Sequence, residues 1–370
     1  MLDKLKIKDD TKKILEKSFD EAIDVDDANY LMKITGQDLF ALFSTADYLR
    51  EEIVGNNVTF INNCNINFTN VCTVRCGFCA FGKDITDKEA YILTDEEILE
   101  KARNAQGARE FCLMGGVLPN ADIEYYEHLL KLLKGEFPKV MIHGFSPTMI
   151  YDASKISEVD VEDGLKTLKN AGLDTLPGTA AEILTDRSRK LICPSKVNTQ
   201  KWIDIIKIAH ELNIPSSATM MYGHVETLTE RVKHLDILRE IQLETKGFTE
   251  FIPMTFMYEN SPIFIEGQEK LGATGTEDLK LYAIARLMFR DLIPNIQVSW
   301  VKMGFRFAQI SLTAGANDLG GTLGGDELSE ASGAPDGVDT SIDNLSRIVK
   351  NIGRNPIERN SKYTEFYPIK

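Results

Sequence analysis

Asn70-Val-Cys-Thr-Val-Arg-Cys-Gly-Phe-Cys-Ala-Phe81 decides how this chain is read. Cys72, Cys76 and Cys79 fall at C-x3-C-x2-C spacing within eight residues. A structural zinc site takes four protein ligands, commonly as two separated pairs. No second C-x2-C pair and no H-x3-5-H partner occurs elsewhere in the sequence. Three thiolates without a fourth ligand suit a cubane iron–sulfur cluster in which one iron stays open to an exogenous ligand. The bland alternative is three unrelated reduced thiols in a loop, and their order and context speak against it.

The rest of the composition sets bounds. A chain of 370 residues with 43% hydrophobic content suits one large barrel with appendages. Its 42 basic and 56 acidic residues leave a formal charge of −14, which disfavours a nucleic-acid partner. No run approaches the roughly 18 consecutive apolar residues of a membrane span. The start, Met1-Leu-Asp-Lys-Leu-Lys-Ile-Lys8, lacks the apolar centre of a signal peptide. A cytoplasmic protein with reduced thiols is expected, with no membrane association. Cys64, Cys112 and Cys193 stand alone in apolar surroundings and read as small buried hydrophobes.

Along the chain, residues 1–55 read as a helical cap, with Leu15, Phe19 and Ile23 recurring at four-residue spacing. From residue 57 short apolar runs alternate with helical periodicity. The runs are 58–61 with 65–69, then 111–114, 140–143, 173–176, 216–222, 249–256, 296–300 and a weak one before Asn317. Between them, 95–103, 125–134, 161–170, 202–212, 230–244 and 277–292 carry helical spacing, with starts marked at Thr94, Thr199 and Thr276. About eight such alternations predict a parallel (β/α)8 TIM-type barrel over 56–336, with a doubly wound open sheet as the rival. Gly315–Gly325 reads as an active-face loop, and 337–370 as a short polar extension with a helix near 342–352.

In such a barrel, function gathers at the C-terminal ends of the strands. The candidate residues there are the backbone turn at Gly115 and Gly116, with His143, Ser146, Thr179, Glu182, Tyr222, His224, Glu259, Asn260, Trp300, Asn317 and Asp318. Ser146 and Thr179 serve equally well as helix caps, and Glu182 could pair with Arg187 or Arg189. His128, His210 and His234 sit in helices and read as structural.

Taken with Phe78, the cysteine stretch is similar to the radical S-adenosylmethionine signature, C-x3-C-x-aromatic-C. Residues 60–335 resemble the subgroup of that superfamily containing the aminofutalosine synthases, the cyclic dehypoxanthine futalosine synthases and the two halves of deazaflavin (FO) synthase. Ile142-His-Gly-Phe-Ser-Pro147, Leu176-Pro-Gly-Thr-Ala-Ala-Glu-Ile-Leu184 and Met220-Met-Tyr-Gly-His-Val-Glu-Thr227 carry the likeness. So do Gly247-Phe-Thr-Glu-Phe-Ile-Pro253, Ile293-Pro-Asn-Ile-Gln-Val-Ser-Trp-Val-Lys302 and Ala316-Asn-Asp-Leu-Gly-Gly-Thr322. Pro177-Gly-Thr179, where aminofutalosine synthases tend toward Pro-Gly-Gly, favours the tyrosine-using half of FO synthase.

The resemblance implies a radical SAM barrel with a 4Fe-4S cluster on Cys72, Cys76 and Cys79, its open iron binding S-adenosylmethionine. Phe78, Gly115, Gly116, Ser146, Thr179 and Glu182 would line the cofactor, although Val117 stands where a glutamate often follows the glycines. A 5′-deoxyadenosyl radical would take hydrogen from L-tyrosine. The Cα–Cβ bond of tyrosine would then break, and the released 4-hydroxybenzyl fragment would add to C5 of 5-amino-6-(D-ribitylamino)uracil. His224, Tyr222 or His143 would handle the phenol or a proton. Glu259, Asn260, Trp300, Asn317 and Asp318 would hold substrate. An electron donor and a separate FO synthase subunit 1 are implied partners. The rivals are a menaquinone-pathway radical synthase acting on a purine nucleoside, an iron–sulfur electron carrier recruiting Cys64 or Cys112, and a zinc-binding module.

Overall fold

The computed structural model describes residues 6–263 and 271–369. Its strands are β1 (Asn57–Ile61), β2 (Asn63–Thr69), β3 (Glu110–Gly115), β4 (Met141–Gly144), β5 (Ser216–Tyr222), β6 (Phe248–Thr255), β7 (Asp318–Gly321), β8 (Asn355–Arg359) and β9 (Phe366–Pro368). β2, β3 and β4 pair in parallel. His143 bridges to Thr175 and Leu176 to Ser216, so 175–176 forms a short stave between β4 and β5. β5 pairs with β6, Phe251 bridges to Ile296, and Gln297 to Asp318. β7 then returns to β1, and Gly324 to Cys64 on β2. The ring of parallel staves closes, with β1 and β2 as one stave broken at Asn62. Closure decides against the doubly wound sheet.

Helices cover the ring because their sequences are amphipathic. Thr199–Glu211 buries Trp202, Ile205, Ile206 and Ala209. Its cap is Asn198, one residue before the expected Thr199, and the helix Gly275–Phe289 is capped by Thr274 in a capping box with Glu277. Thr94 caps Asp95–Asn104 in the same way, as expected.

Other expectations shift. The first helix ends at Lys17, so Leu15 and Ile23 are buried while Phe19, 39% exposed, packs edge-on to Tyr48. The cap as a whole docks on the barrel, with Ile23 N donating to Leu287 O at 3.2 Å and Lys280 Nζ to Met32 O at 2.8 Å. The seventh stave is only 296–297, and Trp300 already begins the helix Trp300–Ser311, kinked at Gly304. The 315–325 stretch contains β7, the eighth stave itself, because its glycines fit a crowded barrel wall. A side chain at Gly321 would collide with Asn63.

The extension is structural rather than loose. After the helix Ile342–Lys350, β8 pairs in parallel with β1 and β9 pairs antiparallel with β8. The chain then runs beneath the N-terminal end of the ring. Arg359 sends Nε to Asp318 Oδ2 at 2.6 Å and Nη2 to Oδ1 at 3.2 Å, both groups being buried. No described helix is long and apolar enough to cross a membrane.

Candidate active site

β2 ends at Thr69 and delivers the cysteine loop to the C-terminal mouth of the barrel. Backbone bonds pin that loop on three sides: Cys72 N to Lys83 O at 3.0 Å, Thr73 N to Val117 O at 2.9 Å and Gly77 N to Ile192 O at 2.8 Å. All three thiols line one cavity of about 350 Å³, which continues down the barrel lumen. Val117 N lies 3.4 Å from Cys72 Sγ. A Cβ on Gly116 would collide with the Val71 carbonyl, so only glycine lets β3 pass so near the loop. Among the described residues no three His, Cys, Asp or Glu side chains converge on a single ion. A cubane asks for something else, one thiolate at each of three separate irons, and three thiols on one cavity wall fit it.

Against the loop stands the turn after 175–176. Glu182 is buried in the left-handed region at φ 43° and forms an ion pair with Lys196. Burial alone would raise the Glu182 carboxyl, but Lys196 and Arg189 hold it below its ordinary value. Burial would likewise lower Lys196, yet Cys76 and Glu182 beside it keep the ammonium well above its usual range. Lys196 Nζ also lies 5.2 Å from the Phe78 ring centroid. Arg189 is committed to the carbonyls of Ala180, Ala181 and Val197, and Arg187 to Glu230, so neither is the partner of Glu182. Thr179 Oγ1 is buried without a hydrogen-bond partner beside the cavity. Ser146 lines it too, with Oγ capping Met149 N at 3.3 Å. Phe78, Gly115, Gly116, Ser146, Thr179 and Glu182 therefore share one wall with the cysteines.

The expected catalytic trio separates. On β5, Ser217, Thr219 and Met221 face the lumen, so alternation turns Tyr222 outward, where its hydroxyl donates to Asp278 Oδ1 at 2.6 Å. His224 is buried behind the strand end, its Nε2 2.8 Å from Met221 O and its Nδ1 accepting from Val225 N. Neither lines the cavity. His143 does, with Nδ1 2.7 Å from Thr175 Oγ1. Burial lowers its pKa, against the opposing pull of Glu110.

The expected substrate residues also stand elsewhere. Trp300 is fully buried, donating to Gly321 O at 2.9 Å and stacked on Phe305. Asn317 Oδ1 is bound by Arg286 Nη2 and Ile296 N, and Asp318 is saturated by Arg359, Thr59, Tyr363 and Gly320 N. Glu259 and Asn260 are exposed, outside the cavity. Sequence order brought these residues near strand ends, but side-chain direction and earlier partners took them away.

What lines the lower lumen was missed. Glu110 and Cys112 on β3, Glu250 on β6, and Arg359 and Ser361 from the extension join His143 there. Period-two spacing along β3 and β6 marks Glu110 with Cys112 and Glu250 with Ile252 as facing one way. Nothing in the spacing marks Lys196, Lys302 or the extension. Lys302, whose Nζ donates to Ser329 Oγ at 2.8 Å, lines the upper cavity, and burial lowers its pKa.

Two family models match: the radical SAM superfamily over residues 66–238 and the CofH/MqnC C-terminal region over residues 245–369. The 5-amino-6-(D-ribitylamino)uracil–L-tyrosine 4-hydroxyphenyl transferase of Methanothermobacter thermautotrophicus is 52% identical, with 99% of this chain and 100% of that protein covered. The transferase of the same name from Methanocaldococcus jannaschii is 47% identical over 88% of this chain and 92% of its own length. This chain belongs to that radical SAM transferase family. Among solved structures, methylornithine synthase (PylB) aligns with a TM-score of 0.72 at 20% identity, covering 94% of this chain and 97% of that one. The FeFe-hydrogenase maturase HydG of Carboxydothermus hydrogenoformans aligns at 0.75 and 15%, covering 96% and 81%. At these identities the two structures show a shared fold alone. As a radical SAM protein, the chain uses a 4Fe-4S cluster and S-adenosylmethionine.

Proposed function

We propose that this protein cleaves L-tyrosine and transfers its 4-hydroxybenzyl group to 5-amino-6-(D-ribitylamino)uracil, one step in building the deazaflavin FO. End-to-end identity of 52% with a transferase of that name carries the reading. When bound, the cluster and S-adenosylmethionine supply a 5′-deoxyadenosyl radical that abstracts hydrogen from tyrosine.

The chain's own residues then have defined tasks. Cys72, Cys76 and Cys79 would hold the cluster, and the Gly115–Gly116 turn would admit the methionine part of the cofactor. Glu182, kept anionic by Lys196, and Thr179 would take its ammonium or ribose hydroxyls, with Phe78 and Ser146 completing the wall. Met114, Met221, Ile252 and Met254 give the middle lumen an apolar lining that keeps water from a carbon radical. Fixing both substrates at near-attack distance, about 3–3.5 Å between reacting atoms, supplies much of the selectivity. His143, half-buried on the lumen wall and favouring its neutral form, would accept a proton from substrate at Nε2. A cytoplasmic setting, an electron donor and a separate FO synthase subunit 1, which supplies the ring-closing step, belong to the same proposal.

The test is anaerobic turnover of reconstituted protein with reductant, S-adenosylmethionine, tyrosine and the ribityl-aminouracil, read by mass spectrometry. A hydroxybenzyl-uracil adduct is expected together with 5′-deoxyadenosine. Adduct-free deoxyadenosine that appears only with a futalosine-type nucleoside would move the chain to the menaquinone-pathway chemistry.

A further inference from the structure

The lumen has a polar floor that no cofactor step uses. Glu110 begins β3, five residues below Gly115, which at ~3.3 Å per residue puts it ~16 Å beneath the cluster end of the strand. Glu110 Oε1 accepts from Asn63 Nδ2 at 3.1 Å and from Cys112 Sγ at 3.1 Å. Glu250 accepts from the Thr249 hydroxyl. Ser361 arrives from the extension, 5% exposed. Its hydroxyl stands close enough to Glu110 to help hold that carboxyl low, yet closes no hydrogen bond of ordinary geometry. His143 Nε2 has no hydrogen bond among the described residues, its Nδ1 being used on Thr175.

The charge pattern selects the ligand. Arg359 is the cation at this level, and both edges of its guanidinium are spent: Nε and Nη2 on Asp318, Nη1 on Asn360 O at 3.4 Å. A substrate carboxylate would meet Glu110 and Glu250 with no uncommitted cation to receive it. Several acceptors and one idle hydroxyl suit an uncharged chain of hydroxyls, each able to donate and accept. Burial, with Asp318 and Glu110 nearby, pushes the Glu250 carboxyl up to about 7, so it too can donate as well as accept.

We infer that the floor formed by Glu110, Glu250 and Ser361 seats the polyol chain of the ribityl-aminouracil, while the amino-acid head of tyrosine lies higher, toward the cluster. The inference rests on the transferase reading and adds which substrate reaches the floor and which protein segment recognises it. The C-terminal extension thereby becomes a specificity element, since it supplies Ser361 and the Arg359 that neutralises Asp318.

Steady-state turnover of the full-length reconstituted enzyme tests this with two acceptors, the ribityl-aminouracil and its 6-methylamino counterpart lacking the polyol. Wild-type kcat/KM is expected to be about a hundred-fold lower for the methylamino compound, since several hydrogen bonds are lost together. S361A removes a hydroxyl that closes no hydrogen bond of ordinary geometry within the protein, so little of the fold rests on it. This variant and E250A should each raise the KM for the ribityl compound about ten-fold, moving the KM for tyrosine less than about two-fold and narrowing the preference between acceptors. A rise in the tyrosine KM instead would assign the floor to the amino acid and overturn the proposal. An unchanged acceptor preference in both variants, with adduct still formed, would overturn the floor assignment alone. Absence of any adduct from wild type would overturn the transferase reading and the floor with it.

Discussion

Single residues decide the chemistry through where their side chains point. The cysteine triad was legible as a group because its spacing suits a ligand requirement rather than a packing preference, and the fold brings its three thiols to one cavity. Replacing Cys72, Cys76 or Cys79 by alanine should abolish the cluster's iron, sulfide and visible absorbance, with no deoxyadenosine formed. Cys64→Ser should keep all three, since Cys64 is buried away from the cysteine loop, on β2. The histidines were less legible. His143 and His224 both follow strand-like runs, yet only His143 reaches the lumen, and one residue of register separates lumen-facing Met221 from outward Tyr222. His143→Gln should lower kcat about 10²-fold or more with folding intact, the magnitude of a lost general base. The same replacement at His224 should act on stability, because that ring is tied to Met221 O and Val225 N. Stopped-time turnover beside thermal melts separates the two effects.

At the scale of elements, the alternation of apolar runs and amphipathic helices was enough for the barrel, since each run must be covered on its outer face. Two staves shrank to bridges at 175–176 and 296–297, too short for any strand signal to bound them. The two strands of the extension, β8 and β9, were the largest omission. The extension's polar sequence gives no periodicity because its task is to bring charge under the ring, where Arg359 meets Asp318. Arg359→Met should cost about 3–5 kcal/mol by leaving the Asp318 carboxylate buried without its cation. Adding Asp318→Asn should return part of that loss. Urea unfolding of the two single variants and the double variant measures the coupling; strict additivity would mean that the pair does not hold the extension to the ring.

Over the whole molecule, buried histidines tie stability to pH. Burial lowers His210 to about 4 and His234 to about 3. A free histidine titrates near 6.5. Because the folded values are depressed, the unfolded chain takes up protons that the fold refuses. Their contribution is full above about pH 6.5 and is lost as pH falls toward the folded values. Glu250 runs the other way: its raised carboxyl favours the fold as pH drops from about 7 toward the ordinary carboxylate range. A difference measurement isolates one group. The stability advantage of wild type over His210→Gln should shrink by about 2 kcal/mol between about pH 7 and pH 5, read from urea midpoints. A constant gap would mean that His210 is not held neutral by burial.

The same closed ring gives one lumen two ends, a thiol-lined mouth and a polar floor, and the central claim is that a radical made at the mouth joins two substrates between them. The most direct measurement is anaerobic turnover with ring-labelled L-tyrosine, S-adenosylmethionine and the ribityl-aminouracil, following label and deoxyadenosine together by mass spectrometry. The account predicts a labelled hydroxybenzyl-uracil adduct whose formation requires all three compounds and is accompanied by deoxyadenosine. Deoxyadenosine released with the label still in tyrosine would contradict it.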